Sequence, residues 1–260
     1  MNPADRLFDA DYLVFSSHKT ATRTIRTSLM ASGFKCVHCH TLWNIQLLPG
    51  QFCSYLRKYE AIHSRKLVVI SVFRDPLERL ISSFFQALTK DVYAWTDPAK
   101  AAAVNKPEDS LIGNVDSAEL ERLFYTFCNK INGFGESIQT ICDEMKVPVS
   151  DLFYSPQEIV CENHLDDCQL ILMRFDLMIR DLQTLLERVT RSEINVKLGN
   201  ISDEKWYAKE YRDFIGSLQM PVELIRSIYQ RREQLMELFH PGEYSSIVDA
   251  KIRQYGHRQG

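Results

Sequence analysis

The sequence predicts an α/β fold: an open, mostly parallel sheet of about four or five strands flanked by helices, with a helix-rich C-terminal half. Three observations predict it. Leu67–Phe73 is a continuous apolar run, as expected of a strand covered on both faces. Cys168–Met173 is a second such run. Tyr12–Ser16 and Phe34–Cys39 are short β-favouring runs with a helical spacing of apolar residues between them, which reads as the start of a βαβ unit.

Each element has its own signal. Tyr12–Ser16 is the first strand, and Ile25, Leu29 and Met30 give the helix 22–32 its apolar side, closed by Gly33. Pro49-Gly50 marks a turn, and Phe52, Leu56 and Tyr59 suggest a short helix. After Leu67–Phe73, Asp75 caps a helix with Pro76 in its first position and Leu77, Leu80, Ile81, Phe84, Phe85 and Leu88 on its face. Residues 91–115 have no steady period and read as a long loop or lid. Helices follow over 116–130, where Asp116 and Glu119 have capping-box spacing, and over 136–146. Further helices are expected over 176–191, 202–215 and 221–239, with a short strand at 194–198 and a turn at Gly199-Asn200. Glu162-Asn163-His164 with Asp166-Asp167 reads as a solvated helix turn, with a cation site as the alternative, and 241–260 reads as a loosely packed tail. No repeat or linker divides the chain, so a single domain over 1–260 is expected.

Composition narrows the partners. The 260 residues are 45% hydrophobic and 25% charged, enough to bury one substantial core. A net charge of −3 argues against nucleic acid as a partner. The charge is uneven: between Tyr12 and Tyr59 there is no Asp or Glu, but Lys19, Arg23, Arg26, Lys35, Arg57 and Lys58 all fall there. A local cationic region in an acidic chain suits a small polyanion. The start, Met-Asn-Pro-Ala-Asp-Arg, lacks the pattern of a signal peptide, and no stretch has the length of a membrane span. The seven scattered cysteines read as reduced, and a cytoplasmic location is expected.

Two motifs carry chemistry. Ser17-His18-Lys19-Thr20-Ala21-Thr22-Arg23-Thr24 lies between a strand and a helix, where unpaired N–H groups and the helix dipole favour an anion. It has no glycine, so it is not the Gly-flanked loop of a P-loop kinase. Arg74-Asp75-Pro76-Leu77-Glu78-Arg79-Leu80-Ile81-Ser82 follows the buried strand, and Arg74 and Ser82 suit a second phosphate. Alone, the second motif reads equally as a capped turn.

Together the two motifs resemble the sulfotransferase superfamily, which uses 3′-phosphoadenosine 5′-phosphosulfate (PAPS) as donor. The likeness is greatest to carbohydrate sulfotransferases, including the uronyl 2-O type and bacterial capsule-type relatives, whose loop reads Pro-Lys-Thr-Ala/Gly-x-Thr. Here His18 replaces the Pro, and Arg23 falls where a small hydroxyl residue is frequent. The resemblance covers 11–30 and 67–88, and extends less closely over 166–240. It implies a P-loop-kinase-like sheet with the 5′-phosphosulfate on Lys19, Thr20, Ala21 (through its backbone), Thr22 and Thr24. Arg23 is counted with this loop, without an assigned contact. Arg74 and Ser82 would take the 3′-phosphate. It implies no metal.

Sulfuryl transfer to an alcohol needs a base, and sulfotransferases use His or Glu. With no carboxylate between Tyr12 and Tyr59, His is the available choice there. Strand alternation places Cys36, His38 and His40 on one side, with His40 on the same rim as the Lys19 loop and Arg74. His40 is preferred, His38 is second, and His63 is a weaker candidate. Zinc at Cys36-Val37-His38-Cys39-His40 lacks a matching pair of ligands. Trp95, Trp206, Tyr207 and Tyr211 serve equally as stacking or packing residues. The resemblance implies a carbohydrate acceptor, a capsular or lipid-linked glycan sulfated in a bacterial cytoplasm, with a homodimer left open. The alternatives are an ATP-dependent kinase and a nucleotide-binding protein without activity.

Overall fold

The computed structural model describes residues 5–87, 117–131, 136–158, 160–196 and 207–257. The elements begin α1 (Asp5–Phe8), β1 (Tyr12–Phe15), α2 (Thr22–Ala31), β2 (Cys36–Cys39), a 3₁₀ turn (Leu42–Ile45), α3 (Phe52–His63), β3 (Leu67–Phe73) and α4 (Pro76–Ala87). Then come α5 (Ser117–Ile131), α6 (Ser137–Met145), β4 (Val160–His164), β5 (Cys168–Arg174), α7 (Phe175–Met178) and α8 (Leu182–Thr190). The C-terminal part holds α9 (Ala208–Ser217), β6 (Met220–Pro221), α10 (Val222–Gln230), α11 (Glu233–Phe239), α12 (Tyr244–Tyr255) and β7 (Gly256–His257). The regions expected as a lid, 91–115, and as a turn, 199–200, lie outside the described residues, as do Trp95 and Trp206.

The chain forms two compact units: Met1–Arg74 with Gly135–Gly199 and Gln234–Pro241, and Asp75–Phe134 with Asn200–Glu233 and Gly242–Gly260. The first unit carries a five-stranded sheet in the order β2-β1-β3-β5-β4. β1, β2, β3 and β5 run parallel and β4 runs antiparallel to β5. The α/β class and the mostly parallel sheet agree with the sequence.

Both sheet faces are covered, which explains the unbroken apolar runs. Tyr12 and Val14 pack on one face with Ile25 and Leu29 of α2, Ile70 and Val72 of β3, and Leu185 and Leu186 of α8. Phe15 meets Phe52 of α3 edge-on, with ring centroids 5.9 Å apart.

β4 was not foreseen: residues 162–164 are strand, not helix turn. Asn163 Oδ1 accepts from Phe153 N and its Nδ2 donates to Phe153 O, and Glu162 accepts from Gln169 Nε2. A polar edge strand carries no apolar run to announce it. The helix expected over 176–191 breaks at Asp181, whose carboxylate accepts from Thr184 N at 3.1 Å and caps α8. The helix expected over 221–239 breaks at Arg231-Arg232; buried Arg232 donates to Ile228 O at 3.0 Å and so ends α10. No strand forms over 194–196.

The second unit has its own aromatic core. Phe84 and Phe85 of α4 pack with Phe124 of α5 and Phe214 of α9 at centroid distances of 5.3–5.8 Å. Tyr207 and Tyr211 join this core against Phe85, so both are packing residues. The stretch expected as a loose tail supplies α12 and pairs β7 with β6. Gly256 allows that turn, because a Cβ there would lie 2.5 Å from Ile252 O. Lys251 of α12 bonds Glu78 at 2.9 Å and lies 3.8 Å from Asp75. Asp75 also caps α4 through Glu78 N and accepts from Tyr229 Oη at 2.8 and 3.0 Å. Burial raises the Asp75 pKa despite Lys251.

Tyr229→Phe is expected to destabilise the protein by about 1–2 kcal/mol, because it strips a hydrogen bond from a partly buried carboxylate. Urea unfolding checks this; an unchanged midpoint and slope would remove Asp75 as the tie between α4 and α10.

Candidate functional site

In the first unit the chain leaves β1 for β2 on one side and reaches β3 on the other, so the strand order reverses direction at β1. Ligands of open α/β sheets bind at such a point, beyond the C-terminal strand ends. Residues 16–21 sit there. Lys19 has φ 67° and Ala21 φ 56°, while Thr20 and the first helical residue, Thr22, keep negative φ. Alternating backbone hands over successive residues turn their N–H groups into one concavity, an anion-binding nest. Each non-glycine residue in the left-handed region costs about 1 kcal/mol, so the surroundings must hold the loop in place.

Ser16 and Thr20 are fully buried and do much of that holding. Thr20 Oγ1 donates to Ser17 O at 2.7 Å and lies 2.8 Å from Ser16 Oγ. Its hydroxyl is therefore engaged inside the loop. Arg74 donates to Lys19 O at 2.9 Å, and its guanidinium stacks 4.3 Å over Phe175. Its buried Nε has no hydrogen-bond partner. Arg74 thus braces the loop and keeps a donor in reserve. Thr22 and Thr24 lie buried on the first turn of α2, and Ala21 precedes it in left-handed conformation. Ser82 is buried on α4, in the second unit.

The histidines gather at the end of β2. His40 Nδ1 lies 2.7 Å from Ser16 O. A carbonyl only accepts, so Nδ1 carries the proton and Nε2 holds the basic lone pair. His38 Nε2 is 3.3 Å from that nitrogen and donates to it. His18 packs against His40, with ring centroids 3.8 Å apart and the rings tilted by 32°. Burial lowers the pKa of His40, with a smaller lowering from the charge of Arg23, against the Ser16 bond, which raises it. Burial, then His40, Arg26 and Arg23, bring His38 down to about 4. Burial is the main reason both imidazoles stay neutral, and the charge of exposed Arg23 adds to it in the same direction.

His63 lies elsewhere. It precedes β3, at the opposite edge of a parallel sheet, and its Nε2 contacts Phe8 O at 2.5 Å. Cys36 and Cys39 are buried, and burial raises both thiols, Cys36 to about 12. Among the described residues no three His, Cys, Asp or Glu side chains converge as a metal site.

Sequence reasoning missed Glu136. Although residues 12–59 contain no carboxylate, the start of α6 brings Glu136 to the loop, where its Oε2 accepts from Ser17 Oγ at 2.8 Å. Ser137 Oγ is 3.3 Å from both Ser17 Oγ and Ser71 Oγ, extending a buried polar floor below the loop. The partners are 119 residues apart, so no local pattern could announce them. No protein-family model, curated protein or solved structure matches this chain.

Ser16→Ala leaves the buried Val72 N–H without its acceptor, and a loss of about 1–3 kcal/mol is expected in urea unfolding. A second expectation concerns pH. Unfolded His38 takes up a proton near its ordinary value of 6.5, whereas folded His38 resists until about 4. Stability should therefore fall as pH drops from 6.5 to about 4, and then level. His38→Gln should flatten part of that fall; an identical profile would show that His38 does not contribute to it.

Proposed function

We propose that this chain is a PAPS-dependent sulfotransferase acting on a carbohydrate hydroxyl, such as that of a capsular or lipid-linked glycan, on a P-loop-kinase-like sheet. The observation that carries this reading is a conjunction at the ends of β1 and β2. A loop of alternating backbone hand over residues 19–22 stands beside His40, whose Nε2 is the basic nitrogen.

The residues fit the donor chemically. The N–H concavity, Lys19 and the unpartnered Nε of Arg74 suit phosphate and sulfate oxygens. The assignment of Ser82 to the 3′-phosphate rests on the motif alone. When bound, the donor supplies the sulfuryl group and a phosphate leaving group. Lys19 and the N–H groups of residues 20–24 neutralise charge that develops on the transferring and leaving oxygens. His40 accepts the hydroxyl proton at Nε2, where the acceptor hydroxyl takes the place of the His38 N–H, while its Nδ1–H stays on Ser16 O. Burial, helped by the charge of Arg23, favours the unprotonated form of His40 beforehand. The fixed loop supplies orientation.

Glu136 favours a second reading. A carboxylate against the Ser17 hydroxyl is a pair of groups able to hold Mg²⁺ in an ATP-dependent kinase. A nucleotide-binding protein without activity is the third.

Calorimetry with 3′-phosphoadenosine 5′-phosphate, without Mg²⁺, separates them. Binding is expected, weakened about tenfold or more by Lys19→Ala or Arg74→Ala. His40→Ala should retain that binding and lose about 10²–10⁴-fold in transfer. Absence of binding, with ATP bound only with Mg²⁺, would install the kinase reading; binding without turnover on any glycan would install the third.

A further inference from the structure

A cleft of about 450 Å³ opens along the outer edge of β2 in the first unit. Arg6 of α1, Arg26 and Met30 of α2, Lys35, His38 and Asn44 are among its lining residues. Three cations face one carboxylate, Asp9. Among the described residues, Arg6, Arg26 and Lys35 have no side-chain ion pair or hydrogen bond. Arg26 is near enough for its charge to act on both His38 and Cys36. Asn44 adds a donor: its Oδ1 accepts from His40 N and Thr41 N, both at 3.0 Å, which leaves its amide N–H groups for another partner.

Unpaired cations gathered in a concave site of ligand size mark an anion-binding site. This one is connected to the loop site through one residue: His38 lines the cleft, and its Nε2 touches the basic nitrogen of His40.

We propose that the cleft binds an acceptor bearing a carboxylate or a phosphate monoester, with Arg6, Arg26 and Lys35 holding the anion and the hydroxyl directed past His38 to His40. That the anion belongs to the acceptor rests on the transfer reading above; that the cleft takes such an anion does not. Both groups offer the planar or tetrahedral oxygens that guanidinium and ammonium groups bond. The cleft is separate from the residue 19–22 loop, so anion and donor need not compete.

The test is calorimetry with trigalacturonate, glucose 6-phosphate and neutral maltotriose, at low and high salt. One or both anions should bind, more weakly at high salt, and the stronger one identifies carboxylate or phosphate as the preferred group. Lys35→Glu should weaken that binding about tenfold, with a melting midpoint close to the parent's. Arg6→Glu, at a second exposed position, should do the same. Affinity for 3′-phosphoadenosine 5′-phosphate should be unchanged in both variants. Equal binding of maltotriose, no binding of either anion, or indifference to both charge reversals overturns the proposal. If the anion binds as described and 3′-phosphoadenosine 5′-phosphate does not, the cleft stands and the sulfuryl-transfer reading falls; the reverse result keeps that reading and removes the cleft.

Discussion

Beyond the last β1–β3 partners, Val14 and Ile70, the Ser16 hydroxyl takes over from the backbone ladder. It accepts from Val72 N at 3.0 Å, and lies 3.0 Å from Val72 O and 2.8 Å from the Thr20 hydroxyl. Its own backbone bonds Cys39 O and His40 Nδ1. One fully buried residue thus joins β2, β3, the loop and the histidine pair. A longer side chain would not fit a site with no exposure, and a side chain without a hydroxyl would leave buried backbone unpaired.

From that anchor the loop reaches its strained form without glycine. A glycine loop would visit the same conformation freely but also many others. Here Cβ atoms at 19 and 21 restrict the backbone, and the cost is offset by the Thr20–Ser17 bond and by Arg74 on Lys19 O. The result is a loop backbone held in one form by the fold itself. Pre-orientation of this kind matters most where charge must be met without reorganisation.

Electrostatics divide the surroundings. On the β2 side, burial first and nearby arginine charge second favour neutral imidazoles, and Arg26, Lys35 and Arg6 make that edge cationic. Below the loop stand Glu136 and a run of serine hydroxyls. A neutral imidazole with one nitrogen tied to a carbonyl has its other nitrogen directed and basic, which is the form a proton acceptor needs.

The sequence by itself determined the sheet strands of high apolar content, the strand–loop–helix at 12–31, the Arg74 turn and the cationic bias of residues 12–59. Those signals are local: periodicity, caps and composition act over neighbours in the chain. It did not reveal polar β4, the breaks at Asp181 and Arg232, or α12, because each depends on a partner distant in sequence or on a single polar bond. Strand parity put His38 and His40 on one side, and their Nε2 atoms lie 3.3 Å apart. That Thr20 spends its hydroxyl internally, that Arg74 braces the loop, and that Glu136 stands under Ser17 were decided only by tertiary structure. The physical reason is the same for all three: hydrogen bonds join groups that are close in space, and only folding brings residues 19 and 74, or 17 and 136, together.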